Sequence, residues 1–219
     1  MIRIITTEDG SHSLFHEELN ETYHSARGAR GESLHVFIKE GLNHWLSSNK
    51  SKQARILEVG LGTGLNAFLT VLEAESQPIF FTSLEPFPIE RSIYENLNFH
   101  QSDEEKALLM KIHESKWETV ETLSKNFMLF KTETRLEAFT DQEPYHIIYF
   151  DAFAPSKQPE VWSLENLRKC YDLLEPGGIL TTYCAQGQFK RNLVEVGFEI
   201  ETLQGAMGKK EMVRAVKPI

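Results

Sequence analysis

The chain has 219 residues, of which 41% are apolar and 25% are charged, and its formal net charge is −9. This length suits one domain with a sizeable core and at most a small appendage. The acidic average excludes a protein that coats nucleic acid through its overall field, although a local basic patch stays compatible with it.

The N-terminus and the cysteines indicate where the protein works. The start, MIRIITTEDG, lacks a basic segment followed by an apolar one, and no apolar run approaches the roughly 20 residues of a membrane span. Cys170 and Cys184 lie far apart and outside any CxxC pattern, which is typical of buried thiols in a reducing compartment. His12 and His16 are four apart, but no acid or cysteine pattern supports a metal site there. We therefore expect a cytoplasmic protein without a membrane span or a metal.

Residues 1–50 are predicted to form an N-terminal extension, and residues 51–219 the main domain. Asp9-Gly10 stands between two short strand-like stretches and is typical of a hairpin turn. From His35 to Leu46 the apolar residues fall mostly on one helical face, which predicts an amphipathic helix. Ser48 to Arg55 then forms a polar connection.

Strands and helices alternate from Ile56 onward. The predicted strands are ILEV, IFFTSLE, NFMLFK, HIIYF, GILTTYC, FEIETLQG and KEMVRAVKP. The predicted helices are LNAFLTVLEAE, the long stretch from SIYENLNF to LSKNF, VWSLENLRKCYDLLEPGG and FKRNLVEVG. Such alternation implies an α/β fold with a mostly parallel sheet covered on both faces, and the short final connection implies an antiparallel last pair. This Rossmann-like arrangement of seven strands is similar to that of class I methyltransferases.

The stretch LEVGLGTGLNAF places three glycines, Gly60, Gly62 and Gly64, between a strand and a helix. Such a loop lets the backbone approach a ligand at the carboxyl end of a parallel sheet. Leu65 occupies the place where a dinucleotide fingerprint needs glycine or alanine, and the Gly-Lys-Ser/Thr ending of a Walker loop is missing. Both phosphate-binding interpretations are therefore weakened.

Two acids accompany the loop and favour a different ligand. Glu58 precedes the glycines, and Glu85 ends the next strand, 25 residues after Gly60 and near the roughly 20 expected for an acid that binds a ribose diol. S-adenosylmethionine (SAM) has a ribose and an adenine, no phosphate, and both a sulfonium and an amino group. The acids suit SAM, although a loop that merely connects strand to helix stays an alternative.

A second informative stretch is YFDAFAPSKQPEVW, from Tyr149 to Trp162. Asp151 closes a buried strand beside the first strand, so its carboxylate is expected to face the cofactor's methyl group. Phe153 and Trp162 offer aromatic faces for a base, and Lys157 a charge for a phosphate. A core position for Trp162 and a purely structural one for Asp151 are the alternatives.

These residues carry a resemblance to a known family. The segment is similar to the DAFAPxKxPExW signature of the tRNA wobble-uridine methyltransferases known as MnmC (its methyltransferase half) and MnmD. Further matching stretches, which together span nearly the whole chain, are TEDGSHSL, YHSARGARGESLHVFIKEGL, LEVGLGTGLNAF, SLEPFP and GKKEM.

The resemblance implies an activity and assigns residues to it. The methyl group of SAM would pass to the exocyclic amine of 5-aminomethyl-2-thiouridine at the tRNA wobble position, with Asp151 as the catalytic residue. Implied cofactor contacts are Glu58, Gly60, Gly62, Gly64, Asn66, Glu85 and, facing the adenine, Glu133; implied substrate contacts are Glu32, Phe153, Lys157, Trp162 and Lys209.

The resemblance also bears on partners. It implies tRNA as the substrate, a stand-alone form that lacks the flavin oxidase domain, and a separate FAD-dependent oxidase acting beside it. The alternatives are a class I methyltransferase acting on a small molecule or a protein, and a non-catalytic SAM-binding module.

Overall fold

A computed structural model describes residues 1–49, 53–74 and 77–219 of the chain. Its N-terminal part is an antiparallel sheet of three strands in sequence order, β1 (Ile2–Thr6), β2 (His12–His16) and β3 (Glu21–Thr22). Gly10, at φ +82°, and the Asp9 carboxylate, which accepts hydrogen bonds from the backbone and hydroxyl of Ser11, shape the turn between β1 and β2. The predicted hairpin is confirmed.

Three helical segments follow one another without a break: α1 (Ala29–Ser33), a π-helical segment (Leu34–Asn43) and α2 (His44–Ser48). The apolar face of the π-helical segment packs on the main sheet, as the spacing predicts. At Gly41 the approach is so close that a Cβ would lie 3.1 Å from the Tyr149 ring. The predicted boundary between residues 50 and 51, and residues 50–52 of the polar connection, lie outside the described residues.

The main sheet has eight strands in the order β10-β11-β9-β8-β4-β5-β7-β6. They are β4 (Ala54–Val59), β5 (Ile79–Leu84), β6 (Val120–Ser124), β7 (Phe127–Thr132), β8 (Tyr145–Phe150), β9 (Leu174–Thr182), β10 (Glu199–Gln204) and β11 (Glu211–Val216). The central pairs from β9 to β7 are parallel, whereas β11 runs antiparallel to both of its neighbours. The predicted α/β fold with a mostly parallel sheet and an antiparallel finish is confirmed.

The remaining helices are α3 (Leu65–Glu73), α4 (Arg91–Tyr94), α5 (Asp103–Glu114), α6 (Leu164–Leu173) and α7 (Gly187–Val196). The expected end of α3 at Glu75 lies outside the described residues. The strand count differs from the predicted seven because β6 falls in the stretch predicted to be one long helix. β6 pairs antiparallel with β7 across a two-residue turn and forms a hairpin at the edge of the sheet. The helical periodicity of the preceding residues hides this hairpin in the sequence. None of the helices within residues 1–49, 53–74 and 77–219 is long and apolar enough to cross a bilayer.

Apolar side chains cover both faces of the sheet in two clusters. Ile147 and Tyr149 point to the face that carries the π-helical segment and α3, while Ile148 and Phe150 point to the face that carries α6 and α7. This alternation follows from the period of a strand buried on both faces. The carboxyl ends of β4, β5 and β8 consequently emerge side by side at one edge of the core.

Candidate active site

The ends of the three neighbouring strands are held together by backbone hydrogen bonds. The Gly60 N–H donates to the carbonyl of Leu84 at 2.9 Å, and the Asp151 N–H donates to the carbonyl of Val59 at 3.0 Å. A cavity of about 400 Å³ opens at this point, and Gly60, Glu85 and Asp151 all line it. The structure therefore brings the central residues predicted from the sequence to one site.

The glycine loop brings bare backbone to the cavity. Gly60 has φ +96°, and a Cβ there would lie 2.8 Å from the Asp151 carbonyl oxygen. Gly62 has φ +50°, and its N–H donates to Glu85 Oε2 at 2.8 Å. Side chains at either position would disrupt this packing. Gly64 differs, because the space for its missing side chain faces His113 on α5 rather than the cavity.

Glu85 is anchored by the backbone on both sides. Its Oε2 accepts from Gly62, its Oε1 accepts from the Phe87 N–H at 2.9 Å, and burial raises its pKa. Each carboxylate oxygen has a second lone pair, so the group can accept two more hydrogens from a ligand. This arrangement fits a ribose diol, the role predicted for Glu85.

The charges around the cavity favour a cationic ligand. Among the described lining residues Arg135 is the one Lys or Arg, whereas five are acidic: Glu18, Glu85, Glu137, Asp151 and Glu160. Such a lining would repel a pyrophosphate and attract a sulfonium and an amino group. The bare glycine backbone, the Glu85 carboxylate and this charge all fit SAM.

Asp151 is held by Asn66, the second residue of α3. Asn66 Nδ2 donates to Asp151 Oδ2 at 2.8 Å, and both residues line the cavity. Burial raises the pKa of Asp151 to about 7, which the Asn66 hydrogen bond partly opposes by favouring the charged form. A carboxyl group that titrates near neutral pH in a cavity is suited to accepting a proton.

Glu58 lies behind the glycine loop and outside the described cavity lining. Its side chain is fully buried, its Oε2 accepts from the Ser83 hydroxyl at 2.7 Å, and its Oε1 has no hydrogen-bond partner among the described residues. Burial raises its pKa well above the ordinary value. Alternation along β4 turns this side chain to the same face as Ile56, toward the π-helical segment and α3, whereas the neighbouring Val59 points to the other face and lines the cavity.

The segment after Asp151 divides its predicted substrate contacts between cavity and core. Phe153 lines the cavity, and its ring meets the Tyr23 ring edge-to-face at a centroid distance of 4.8 Å. Trp162 is only 5% exposed; its Nε1 donates to the Phe153 carbonyl at 2.7 Å and its ring packs against Phe150. Trp162 thus positions Phe153 rather than offering a free face. Lys157 lies on the following turn and is not among the lining residues.

The loop after β7 contributes residues other than the one predicted. Glu133 is exposed and not among the lining residues, whereas Arg135, Leu136 and Glu137 line the cavity. The chain turns directly after β7, where the Thr134 N–H donates to the Thr132 hydroxyl oxygen at 3.1 Å. This turn carries Glu133 away from the cavity and brings the next residues to it.

Glu32 and Lys209, 177 positions apart, form an ion pair. Glu32 is 5% exposed, and its Oε2 accepts from the Ser25 N–H at 2.8 Å. The Glu32 charge raises the pKa of Asp151 and the Lys209 charge lowers it, so the pair acts on the cavity although neither residue is among its lining.

Sequence reasoning assigned no role to Tyr23 and His24, which reach the cavity from the N-terminal sheet. The Tyr23 ring covers Gly62, with its Cδ1 3.1 Å from where a Cβ would stand. His24 contacts the hydroxyls of Ser13 and Thr63 at 3.2 and 3.3 Å, and burial lowers its pKa to about 4, so it is neutral at pH 7. The motif YHSARG, which starts at Tyr23, was the available signal.

The fold and the site together define a class I SAM-dependent methyltransferase. A family sequence model described as S-adenosyl-L-methionine-dependent methyltransferase matches residues 97–218, more than half of the chain. The chain belongs to this family, which confirms SAM as its cofactor, and its relatives confirm the resemblance to the methyltransferase domain of MnmC.

The similar proteins include a relative from Cupriavidus metallidurans, the tRNA 5-methylaminomethyl-2-thiouridine biosynthesis bifunctional protein MnmC. It is 30% identical over 90% of this chain and 31% of its own length. A protein of Methanocaldococcus jannaschii described as uncharacterized is 24% identical over 98% of this chain and 59% of its own. The crystal structure of MNMC2 from Aquifex aeolicus has a TM-score of 0.80 at 21% identity, covering 98% of this chain and 69% of that one. This chain thus spans about a third of the length of the bifunctional relative.

Proposed function

We propose that this protein transfers the methyl group of SAM to the exocyclic amine of 5-aminomethyl-2-thiouridine at the tRNA wobble position, giving 5-methylaminomethyl-2-thiouridine. The observation that carries the proposal is Asp151. Its carboxyl group lines the cavity, Asn66 holds it by a hydrogen bond, and burial raises its pKa to about 7. The names of the bifunctional relatives support this choice of substrate. An FAD-dependent oxidase acting on the same tRNA as a partner protein is part of the same proposal.

The chemistry requires an amine that has lost a proton. An alkylamine resembles lysine, with a pKa of about 10.4, so the acceptor arrives mostly as an ammonium ion. When bound, SAM supplies a methyl group on a positively charged sulfur. Asp151 accepts a hydrogen bond from the ammonium and then its proton, and its raised pKa makes this transfer less unfavourable than an ordinary aspartate would.

Two further features of the site assist the methyl transfer by placing the reacting groups. Asn66 holds Oδ2 of Asp151, which leaves the other carboxylate oxygen for the amine. Tyr23 and Phe153 line the cavity with contacting aromatic rings, and an apolar wall of this kind strengthens the electrostatic contacts beside it. Correct placement of the donor and acceptor is expected to supply a large part of the rate.

The test supplies the protein with SAM labelled in its methyl group and with tRNA that carries 5-aminomethyl-2-thiouridine. The matched control is the same tRNA with an unmodified wobble uridine. The proposal predicts label in the first tRNA and none in the second. Label in both tRNAs contradicts the proposal. Label in neither tRNA, together with label in a small molecule or a protein from the same cells, contradicts it as well.

A further inference from the structure

Lys209 occupies a place that suits a cation. Its ammonium group is paired with Glu32 Oε1 and lies 4.8 Å from the centre of the Tyr183 ring. The Glu32 side chain is 7% exposed, whereas the Lys209 side chain is 37% exposed. A buried carboxylate and an aromatic face are two groups that bind an alkylammonium well.

The two groups that surround this ammonium are fixed by contacts that do not involve Lys209. Glu32 Oε2 accepts from the Ser25 N–H at 2.8 Å. The Tyr183 hydroxyl donates to the carbonyl of Ala152 at 2.8 Å. Because both anchors are backbone groups, the carboxylate and the ring are expected to stay in place when the lysine leaves.

The place lies beside the residue that is proposed to take the proton. Ala152, which holds Tyr183, directly follows Asp151, and the charges of Glu32 and Lys209 both act on Asp151. Lys209 itself lies on the short loop between β10 and β11, from which a flexible, partly exposed side chain can turn to solvent. A cation held by Glu32 and Tyr183 would therefore lie next to the Asp151 end of the cavity, just outside its lining residues.

We propose that Glu32 and the face of Tyr183 form an ammonium-binding subsite for the acceptor, and that Lys209 is a resident cation which the acceptor's ammonium displaces. This inference rests on the proposed function in taking a primary amine as the acceptor. The exchange replaces one ammonium by another, so the buried Glu32 carboxylate is not left unpaired. Lys209 thus becomes an occupant of the subsite rather than the direct substrate contact predicted from the sequence.

The test uses two simple probes, n-butylammonium chloride and uncharged n-butanol, and compares Lys209→Met with the matched variant Lys210→Met. Lys210 is the exposed neighbour on the same loop. We expect Lys209→Met to bind n-butylammonium at least about fivefold more tightly than the wild type, since a competing partly buried ion pair is removed. Lys210→Met and n-butanol should show no change, and adding Glu32→Gln should abolish the gain. Equal or weaker binding by a folded Lys209→Met contradicts the proposal.

A second measurement uses the wild-type protein and does not depend on the folding of a variant. Saturating n-butylammonium should release Lys209 from its ion pair and shift the NMR signal of its side chain toward that of the exposed Lys210. An unchanged Lys209 signal contradicts the subsite. If Lys209→Met gains affinity for n-butylammonium and the wild-type Lys209 is released, but the aminomethyl tRNA gains no label, the subsite stands and the proposed function falls. If the tRNA is labelled but neither effect on n-butylammonium is seen, the proposed function stands and the subsite falls.

Discussion

Asn66 Nδ2 donates to Asp151 Oδ2 at 2.8 Å, and this bond ties the first turn of α3 to the residue that directly follows β8. The bond favours the ionised carboxylate, while burial favours the neutral acid. The balance of the two sets the pH at which Asp151 can accept a proton.

Replacing Asn66 should shift that balance. Asn66→Leu removes the hydrogen bond, so the pKa of Asp151 should rise further and the acid limb of the rate–pH profile should move to higher pH. We expect turnover at pH 7 to fall about fivefold, because a loss of roughly 1.4 kcal/mol lowers the ionised fraction of Asp151 from about a half to about a tenth. Asn192→Leu, which removes an amide that bonds to Gln188 at the surface, is the control. An unmoved profile in Asn66→Leu would separate this bond from the chemistry.

The ionisation of Asp151 should govern the wild-type pH dependence. Because only the ionised form accepts a proton and the pKa is about 7, turnover should rise as the pH increases through 7. Asp151→Asn should lower turnover by about 10²–10⁴-fold and remove this inflection, with SAM affinity nearly unchanged. Turnover assays and SAM titrations of the variant check this. An equal loss of turnover and of SAM affinity would show that Asp151 serves cofactor binding or folding instead.

Glu85 and Glu133 give a matched pair for cofactor binding. Glu85→Gln removes a charge that two backbone N–H groups hold in the cavity, so the SAM dissociation constant should rise about 10- to 100-fold. Glu133→Gln alters an exposed residue outside the cavity lining and should leave it unchanged. Isothermal titration of both variants checks this. Comparable weakening in Glu133→Gln would return that residue to the adenine site.

Glu58 should make the fold less stable as the pH rises. Burial raises its pKa in the folded state, so its contribution is full below the unfolded value of about 4.3 and is lost as the pH rises toward and through the folded one. Glu58→Gln cannot ionise, so its melting temperature should exceed that of the wild type by a few degrees at about pH 8, and by less at about pH 5. Calorimetry without SAM measures this. A difference independent of pH would mean that Glu58 does not titrate as described.

The centre of the site follows from the sequence because parallel strands end at the same edge of a sheet. Gly60, Glu85 and Asp151 each end or follow a strand, so their meeting needs only the correct strand order. Glu58 and Glu133 were harder, since their directions depend on the alternation along one strand and on a tight turn after another. The residue type alone, a glutamate in both cases, does not reveal the direction in which the side chain points.

Contacts between distant parts of the chain were beyond the local pattern. The ion pair of Glu32 with Lys209 spans 177 positions, and the placement of Tyr23 over Gly62 needs the N-terminal sheet to fold across the glycine loop. β6 is different, because it pairs with β7 across the two residues Lys125 and Asn126, a local hairpin that the helical periodicity before it obscured.

The most direct test of the central claim identifies the product nucleoside. The wild-type protein and Asp151→Asn are each incubated with SAM and tRNA containing 5-aminomethyl-2-thiouridine, and the digested tRNA is analysed by liquid chromatography and mass spectrometry. The account predicts 5-methylaminomethyl-2-thiouridine, with one methyl on the amine nitrogen, from the wild type and almost none from the variant. A methyl group on any other nucleoside, or an unchanged wobble nucleoside with the wild type, would contradict it.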